Sequence, residues 1–380
     1  MRQNAVKIGL DQLHQAVKGK KVALMMNNTA LTDTGKSLID VMHFDWHCDI
    51  GFLLGMEHGV RGELKGGVKV KNIADPVTGL PVVSLYDFPG LKPPSELLAK
   101  VEAVVFCAQD AGVRHYTYTP WMMFAMESAA KVGTEVIVLD RPNPIGGDIV
   151  EGQTVKPGYF SIIGGFEYPY RHGMTQGELA LMYNDKHQVG CHLTVIPMEG
   201  YSRDMWYDQT GLLWIPPSPN IPVLDTLTAY ATTGLLQSTN VSAGIGTTVP
   251  FHLFGAPWMN SREMANKLNC LNLPGLLCLD KYFIPNYSLY QEEVCSGVYF
   301  IITDRLSYRP VTAAIHLLSL LVHDYKDQFQ FTSIRSYDQR AGSSKLREDL
   351  LKGRDAKDIL VEWDEDAKGF VQDRKPYLLY

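Results

Sequence analysis

The sequence predicts an α/β protein built on a parallel sheet that is covered by helices. Short apolar runs alternate with helical segments over the first 150 residues, as in chains that fold into such a sheet. Several of these runs end in polar residues, as strands do beside a ligand cleft. The composition then shifts after Gly146 and Gly147, where Gly, Tyr and Phe become frequent without clear periodicity. We therefore expect one domain over residues 1–155 and a second over 156–380.

The elements follow in order from the apolar pattern. Five strands are predicted in the first domain, at 22–26, 50–54, 81–85, 103–108 and 135–139. Helices are predicted between them at 34–42, 95–101 and 121–132. In the second half we expect helices at 176–183, 226–238, 264–271 and 311–322, strands at 192–198 and 298–303, and a tail of surface helix and turn at 346–379. Thr175 and Glu178 have the spacing of a capping box at the start of the helix at 176.

Polar residues follow four of the predicted strands. The pairs are Asn27/Asn28, Glu57/His58, Gln109/Asp110 and Asp140/Arg141. For any single pair a turn or capping role is an equally good explanation. In a parallel sheet, however, all these strand ends lie along one edge, and the recurrence favours a ligand cleft there.

The loop after the second strand is the most unusual of these ends. It places Glu57, His58 and Arg61 among Gly55, Gly59 and Gly62. Glycine lets a backbone turn sharply or approach a ligand closely. A carboxylate, an imidazole and a guanidinium held in such a loop suit a catalytic site, although a polar surface turn is the plain alternative.

Composition excludes several classes of protein. The formal net charge is −6 and the pI is about 6.0, whereas nucleic-acid binding needs a basic face. The six cysteines form no CxxC pair, so neither a disulfide framework nor a metal site is predicted. No apolar run approaches the length of a membrane span. Residues 1–21 carry no apolar segment and do not read as a signal peptide, although a chain trimmed of its leader would look the same, so the compartment stays open.

Nucleotide cofactors are not predicted either. No G-x-G-x-x-G follows the first strand. Thr34-Gly35-Lys36-Ser37 resembles the end of a P-loop, but the first glycine of that motif would fall on Ala30. A nucleotide-dependent Rossmann enzyme is therefore the weakest of the alternatives.

Further segments carry residues that suit a polar, aromatic ligand wall. Arg114, Tyr116 and Tyr118 alternate as on an extended segment, and a half-exposed strand is the plain alternative. Asn143 lies in the proline turn after the fifth strand. Other candidates come from the second half: Arg171 and His172 before a helix, Asn220 in a proline-rich loop, Asn240 in a Gly/Thr-rich loop, and Trp258.

Taken in order, these motifs resemble the DUF1343 family, the exo-β-N-acetylmuramidases of the NamZ type in glycoside hydrolase family 171. The segments that carry the resemblance are Met56 to Gly62, Gln109 to Tyr118, Asp140 to Gly147, Arg171 to Thr175, Pro217 to Asn220, Thr239-Asn240, Gly246 to Thr248, Gly255 to Trp258 and Tyr377 to Tyr380. The resemblance extends over nearly the whole chain. It implies a Rossmann-like domain followed by a smaller α/β (α+β) domain, with the active site between them. It also implies removal of N-acetylmuramic acid from the non-reducing ends of peptidoglycan fragments.

The resemblance assigns roles to the candidate residues. Glycoside hydrolysis needs a general acid and a second group that attacks the anomeric carbon or activates water, unless the substrate's acetamido group does so. We expect Glu57 as the acid and Asp110 as the second carboxylate. Asp140 is the third candidate, and a structural role bonded to the turn at Asn143 is its plain alternative. His58 and Arg61 would orient the sugar or tune Glu57. Arginine suits bidentate contacts with a carboxylate, so the residues expected at the lactyl group are Arg114, Arg141 and Arg171. Those expected against the sugar ring are Tyr116, Tyr118 and Trp258.

The sequence also departs from the family pattern. Family members usually carry Glu-Gly-Thr-Asn and Ser-Glu-Gly-Arg-Gly-Thr-Thr where this chain has Gln237 to Asn240 and Ser242 to Thr248. Gln237, Ala243 and Ile245 thus stand in place of two carboxylates and one guanidinium. Two alternatives to the muramidase follow: a sugar-binding protein that has lost turnover, or a hydrolase of another amino sugar. The substrate is a small carbohydrate in each case, and no oligomeric state is predicted.

Overall fold

A computed structural model describes residues 6–380. Six parallel strands form its main sheet, in the order β3-β2-β1-β4-β5-β8. Their bounds are β1 Lys21–Met26, β2 Asp49–Gly55, β3 Val82–Ser84, β4 Ala103–Cys107, β5 Glu135–Leu139 and β8 Leu193–Ile196. The predicted α/β class is confirmed, and so are five of these strands in the first 150 residues to within one or two positions.

The sheet is buried on both faces because its strands are apolar throughout. Along β1, Ala23 and Met25 pack into one core cluster, while Val22, Leu24 and Met26 pack into the other. Such continuous apolar runs are typical of parallel strands covered by helices. The helices that cover the sheet are α1 Leu10–Val17, α2 Leu38–Asp40 with a π-helical turn at Val41–Asp45, α3 Ser95–Leu98, α4 Tyr118–Ala130 and α5 Gln176–Lys186.

Helix α5 begins with the predicted capping box. The Thr175 side chain accepts a hydrogen bond from the Glu178 amide, and the Glu178 side chain accepts one from the Thr175 amide. These two bonds satisfy backbone donors that the first turn of a helix leaves free.

A second unit follows, built on a small antiparallel sheet in the order β10-β11-β9. Its elements are α6 Asp225–Thr233, β9 Leu253–Ala256, α7 Ser261–Cys270, β10 Leu276–Phe283, β11 Cys295–Ile302, α8 Pro310–Asp324, α9 Ile334–Ala341, α10 Lys345–Leu351 and α11 Ala356–Asp373. A two-stranded ribbon, β6 Glu151–Thr154 and β7 Pro169–Arg171, lies between the two units in the chain. The described residues include no helix that is both long and apolar enough to cross a membrane.

The division between the two units is a proposal. Strand β8 belongs to the main sheet although it lies well after residue 155, the boundary expected from composition. We therefore propose that the first domain continues to about residue 225, where α6 begins.

The end of the chain returns to the first unit, and this differs from the surface tail expected from its alternating charges. Ile359, Trp363 and Phe370 of α11 are buried in the main core. The Arg374 guanidinium donates to the carbonyls of Gly147 and Gly173 at 2.9 and 2.6 Å. The last helix therefore ties the second unit to the loops of the first.

Candidate active site

A cavity of about 570 Å³ lies at the carboxyl edge of the main sheet, where the two units meet. The first unit contributes the loop that follows β2 and the segment that precedes α4. The second contributes α6, the loop after it, and the end of α9. The side chains that matter below are Glu57, His58, Lys65, His115, Tyr116, Asn220, Tyr230, Gln237, Ile245, Tyr287 and Arg340.

The loop after β2 folds back on itself to present Glu57. The Gly67 amide donates to Glu57 Oε1 at 2.6 Å, and the Leu64 amide donates to the His58 carbonyl at 3.1 Å. Gly62 has a φ of +76°, and a Cβ there would lie 2.4 Å from the Asn28 side chain. Glycine is therefore required at this position both by the left-handed backbone and by the close approach.

The His58 imidazole lies beside Glu57 with one nitrogen already bonded. Its Nδ1 is 2.9 Å from the Leu64 carbonyl, so Nδ1 carries the proton that is donated to that oxygen. Burial lowers the pKa of His58, although the Leu64 carbonyl and the charge of Glu57 raise it. A neutral imidazole protonated at Nδ1 offers Nε2 to the cavity as a hydrogen-bond acceptor.

Aromatic side chains build the floor of the cavity. The hydroxyl groups of Tyr116 and Tyr118 donate to the Pro217 carbonyl at 2.7 and 2.9 Å, which fixes the loop that carries Asn220. The Tyr287 hydroxyl donates to Asn220 Oδ1 at 2.6 Å and joins that loop to the second unit. His115 packs against Tyr230 with ring centroids 4.4 Å apart. These contacts give the cavity a rigid wall with aromatic faces, which suits a sugar ring.

Known proteins match this chain along its whole length. Family models described as the N-terminal and C-terminal parts of exo-β-N-acetylmuramidase NamZ match residues 22–225 and 228–380. The peptidoglycan β-N-acetylmuramidase NamZ of Bacillus subtilis (strain 168) is 37% identical over 379 residues, which are 99% of this chain and 91% of that protein. The chain belongs to the NamZ exo-β-N-acetylmuramidase family.

Solved structures of the same family share the fold. A DUF1343 family protein from Bacteroides fragilis NCTC 9343 superimposes with a TM-score of 0.91 at 35% identity, with 100% of both chains covered. A second DUF1343 family protein from that organism gives 0.79 at 29% identity, with 99% of both chains covered. The family resemblance predicted from the sequence motifs is thus confirmed. The two family models also meet near residue 225, at the domain boundary proposed above.

Four residues predicted for the site lie on the cavity wall: Glu57, His58, Tyr116 and Asn220. Asn28 and Tyr118 lie behind them. The Asn28 amide group donates to the Pro216 carbonyl at 3.1 Å, so both residues hold the loop that carries Asn220. Their predicted contact with a ligand is corrected to a supporting role.

Asp110, the predicted second catalytic carboxylate, lies outside the cavity wall. It is only 4% exposed. Its Oδ2 accepts from the Gly112 amide at 2.9 Å and lies 3.4 Å from His172 Nε2. Gln109 is also buried, with its amide group donating to the Pro142 carbonyl at 2.9 Å. We therefore correct the expectation that Asp110, Gln109 and His172 contact the ligand, because their polar atoms serve the loops beneath the cavity.

The arginines predicted at the lactyl carboxylate are turned away from the cavity. Arg114 donates to the carbonyls of Gln153 and Tyr168 at 2.6 and 3.0 Å. Arg171 pairs with Glu151 at 3.2 Å, and Arg141 donates to Gln109 at 3.3 Å. All three are buried. The prediction that they bind a carboxylate on the ligand is corrected, because the guanidinium groups are buried and bond to groups inside the protein, although the Nε atoms of Arg114 and Arg171 have no hydrogen-bond partner.

Arg61 also differs from its predicted role. Its guanidinium donates to both oxygens of Asp75 at 2.7 Å and to Asp40 at 2.8 Å. It therefore anchors the Glu57 loop from outside and does not line the cavity.

In the second unit, Asn240 and Trp258 lie away from the cavity wall. The Asn240 side chain bonds to the backbone of Gln328 and Gln330 at 2.7 and 2.8 Å. Trp258 donates to the Tyr290 hydroxyl at 3.2 Å. Both predicted ligand contacts are corrected to structural ones. The residues missed from the sequence are chiefly Tyr230, Tyr287, Lys65 and Arg340, none of which belongs to a motif.

Asp140 and Asn143 serve the start of α5. Asp140 accepts from the Thr175 hydroxyl at 2.6 Å, the Gly177 amide at 2.8 Å and the Tyr380 hydroxyl at 3.0 Å. Asn143 donates to the Met174 carbonyl at 3.0 Å. Their predicted contact with the ligand is therefore corrected. A structural role is observed for Asp140, as its alternative had it, although its partners lie at the start of α5 and at Tyr380.

The stability of the protein should depend on pH through Asp140. Burial raises the pKa of this carboxyl to about 7, whereas an unfolded Asp titrates near pH 4. Between these values the folded state holds a proton that the unfolded state has released, so the stability contributed by Asp140 falls as pH rises. From pH 5 to pH 8 we expect the wild type to lose about 2 kcal/mol of unfolding free energy relative to Asp140→Asn.

Urea unfolding of both proteins at several pH values checks this expectation. Asn keeps the shape of the carboxyl group and can still accept from the Gly177 amide through its oxygen, but it does not titrate. The pH dependence of the difference between the two proteins therefore isolates the titration of Asp140. A difference that stays constant from pH 5 to pH 8 would contradict the raised pKa.

Proposed function

We propose that this protein is an exo-β-N-acetylmuramidase that releases N-acetylmuramic acid from the non-reducing ends of peptidoglycan fragments, with Glu57 as the general acid. The observation that carries this proposal is the position of Glu57. Its half-buried side chain lines a sugar-sized cavity between the two units, on a loop that starts at a strand end. Family membership supports the reaction, and the position of Glu57 in the cavity supports its role as the acid.

The general acid must protonate the glycosidic oxygen as the bond to the anomeric carbon breaks. Glu57 suits this step because its Oε1 is held by the Gly67 amide, which fixes the orientation of the carboxyl group toward the cavity. His58 Nε2 lies on the same wall and offers an acceptor for a sugar hydroxyl or for a water molecule. Together the two side chains provide a proton donor and a neutral base beside each other.

The second group in the reaction is the substrate's own acetamido oxygen in our proposal. Glu57 is the acidic side chain among the described residues that line the cavity. An acetamido oxygen that attacks the anomeric carbon forms a cyclic intermediate, and water then opens it with the same carboxylate as base. Glu57 would thus act first as acid and then as base, as in other substrate-assisted glycosidases.

A second candidate function is hydrolysis, or binding without turnover, of another amino sugar. The observation that favours it is the position of the departures from the family pattern. Gln237 and Ile245 both line the cavity, where family members usually carry a carboxylate and a guanidinium. Two of the three departures therefore fall on the wall that meets the substrate, and the third, Ala243, lines a smaller neighbouring pocket together with Gln237 and Ile245.

A panel of 4-nitrophenyl glycosides separates these possibilities. We expect hydrolysis of 4-nitrophenyl N-acetylmuramide and little hydrolysis of the N-acetylglucosaminide, which lacks the lactyl ether. The muramide without its acetyl group should not react, because the internal nucleophile is missing. Preferred hydrolysis of the N-acetylglucosaminide would support another amino-sugar hydrolase, and calorimetric binding without product would support a binding protein.

A further inference from the structure

The charged side chains of the cavity favour an anionic ligand. Glu57 is the acidic group on the wall, whereas Lys65 and Arg340 are basic. Burial lowers the pKa of His58, and it lowers the pKa of His115 well below the ordinary value, so both imidazoles are neutral at pH 7. The cavity therefore carries an excess of positive charge in a chain whose formal net charge is −6. Such local charge attracts ligands of the opposite sign.

Arg340 is the arginine on the cavity wall. No carboxylate among residues 6–380 pairs with its guanidinium, and its Nε is buried without a hydrogen bond. Burial lowers the pKa of Arg340, while the nearby hydroxyl groups of Tyr230, Tyr170 and Tyr337 raise it. The side chain as a whole is partly exposed toward solvent, but an unpaired buried donor such as its Nε is costly, so a ligand oxygen that accepts from the guanidinium would be bound favourably.

The backbone at Arg340 is held in place by Arg114. The Arg114 Nη2 group donates to the Arg340 carbonyl at 3.0 Å. Helix α9 then ends at Gly342, which has a φ of +96°. Arg114, expected from the sequence to bind a ligand, thus fixes the position of the arginine that lines the cavity.

Tyr230 relates Arg340 to the catalytic carboxylate. Burial is the main cause of the raised pKa of Tyr230. The charge of Arg340 lowers this pKa, and the charges of the buried Asp110 and of Glu57 raise it. Arg340 and Glu57 are therefore near the same tyrosine on the cavity wall. They form no ion pair with each other in the described structure, and both line the same cavity.

Lys65 is less suited to the same task. Its side chain is exposed, and its ammonium lies 4.6 Å from the centre of the Tyr287 ring. A solvated ammonium gives up more hydration on binding than a guanidinium does, and it offers no bidentate fork. Arg340 is the better receptor for a carboxylate.

We propose that Arg340 binds the carboxylate of the lactyl ether in a muramic-type amino sugar and so selects that sugar over one without the ether. The assignment rests on the proposed function and deepens it. With the anomeric carbon at Glu57 on the wall of the first unit, the substituent at C3, two ring atoms away, can extend toward the wall that the second unit contributes. Arg340 supplies the guanidinium on that wall.

The test compares a charged substrate with a neutral analogue. The substrates are 4-nitrophenyl N-acetylmuramide and the same compound with its lactyl carboxylate converted to a carboxamide. We expect Arg340→Met to lower kcat/KM for the acid about 10²-fold, mainly through KM, and to change kcat/KM for the amide less than threefold. Arg340→Lys should lie between the two. Arg335→Met, an exposed arginine on the same helix, is the matched control and should behave as wild type.

The outcomes separate this assignment from the proposed function. An Arg340→Met variant that keeps the wild-type preference for the acid over the amide overturns the role of Arg340 while the muramidase stands. If the wild type hydrolyses neither compound, the muramidase proposal fails. Calorimetric binding of N-acetylmuramic acid and its amide then decides the role of Arg340: the wild type should prefer the acid and the variant should not. Equal preference in both proteins rejects it.

Discussion

Glu57→Gln should lower kcat for a MurNAc-GlcNAc disaccharide by about 10³-fold and change KM little. The size follows from the loss of a proton donor at the leaving oxygen, since positioned acid–base groups contribute roughly 10²- to 10⁴-fold. Gln is nearly isosteric, and its amide oxygen can still accept from the Gly67 amide that holds Glu57 at 2.6 Å. The melting temperature should therefore stay within about 2 °C of wild type, which is the effect of a few tenths of a kcal/mol.

The leaving group distinguishes a general acid from a residue that only orients the substrate. 4-Nitrophenolate leaves without much help from a proton, whereas a sugar hydroxyl does not. Loss of Glu57 as acid should therefore reduce kcat/KM, which reports departure of the leaving group and not the later attack of water, much less for the nitrophenyl glycoside than for the disaccharide. Equal losses on both substrates would contradict the acid role. Glu63→Gln is the matched control, because Glu63 lies on the same loop and accepts from the Arg61 amide outside the cavity.

Arg61→Met should destabilise the protein by about 3–5 kcal/mol, because it leaves a buried carboxylate without its partner. Asp75 has a fully buried side chain. Burial alone would raise its pKa, but hydrogen bonds from Arg61 and Thr78 hold the pKa well below its ordinary range. The stabilisation is therefore present above the pKa of an unfolded Asp, near 4, and is lost as pH falls below it.

The double variant Arg61→Met with Asp75→Asn gives the control. Removing both charges leaves no unpaired ion, so urea unfolding should recover a large part of the lost free energy. Arg61→Lys should be intermediate, because an ammonium cannot bind both carboxylate oxygens as the guanidinium does. A cost below about 1 kcal/mol for Arg61→Met, or no recovery in the double variant, would show that this pair does not hold the Glu57 loop.

The first domain was predictable because its strands are short and apolar and are separated by segments with the sequence pattern of helices. β5 is the clearest case, with the observed Glu135–Leu139 matching the predicted range. Strand β10 was not predicted. It is the edge strand of a small sheet, and most of its residues are exposed. Because neither face is buried as a whole, apolar and polar residues do not alternate along it.

The site was only partly predictable for a different reason. Motifs show which residues follow a strand, but they do not show where each side chain points. Glu57 and His58 face the cavity, whereas Arg114 and Arg171, which motifs mark just as clearly, are buried against backbone carbonyls and Glu151. Arg340 reaches the cavity from a helix far along the chain, and only the packing of the two domains reveals it.

The direct test of the central claim is product analysis with two disaccharides that differ only in the order of their sugars. Purified protein is incubated with MurNAc-GlcNAc and, separately, with GlcNAc-MurNAc, and the products are identified by mass spectrometry. An exo-β-N-acetylmuramidase should release free N-acetylmuramic acid from the first and leave the second intact. Cleavage of the second disaccharide, or no cleavage of either by a folded protein, would contradict the function proposed for the Glu57 cavity.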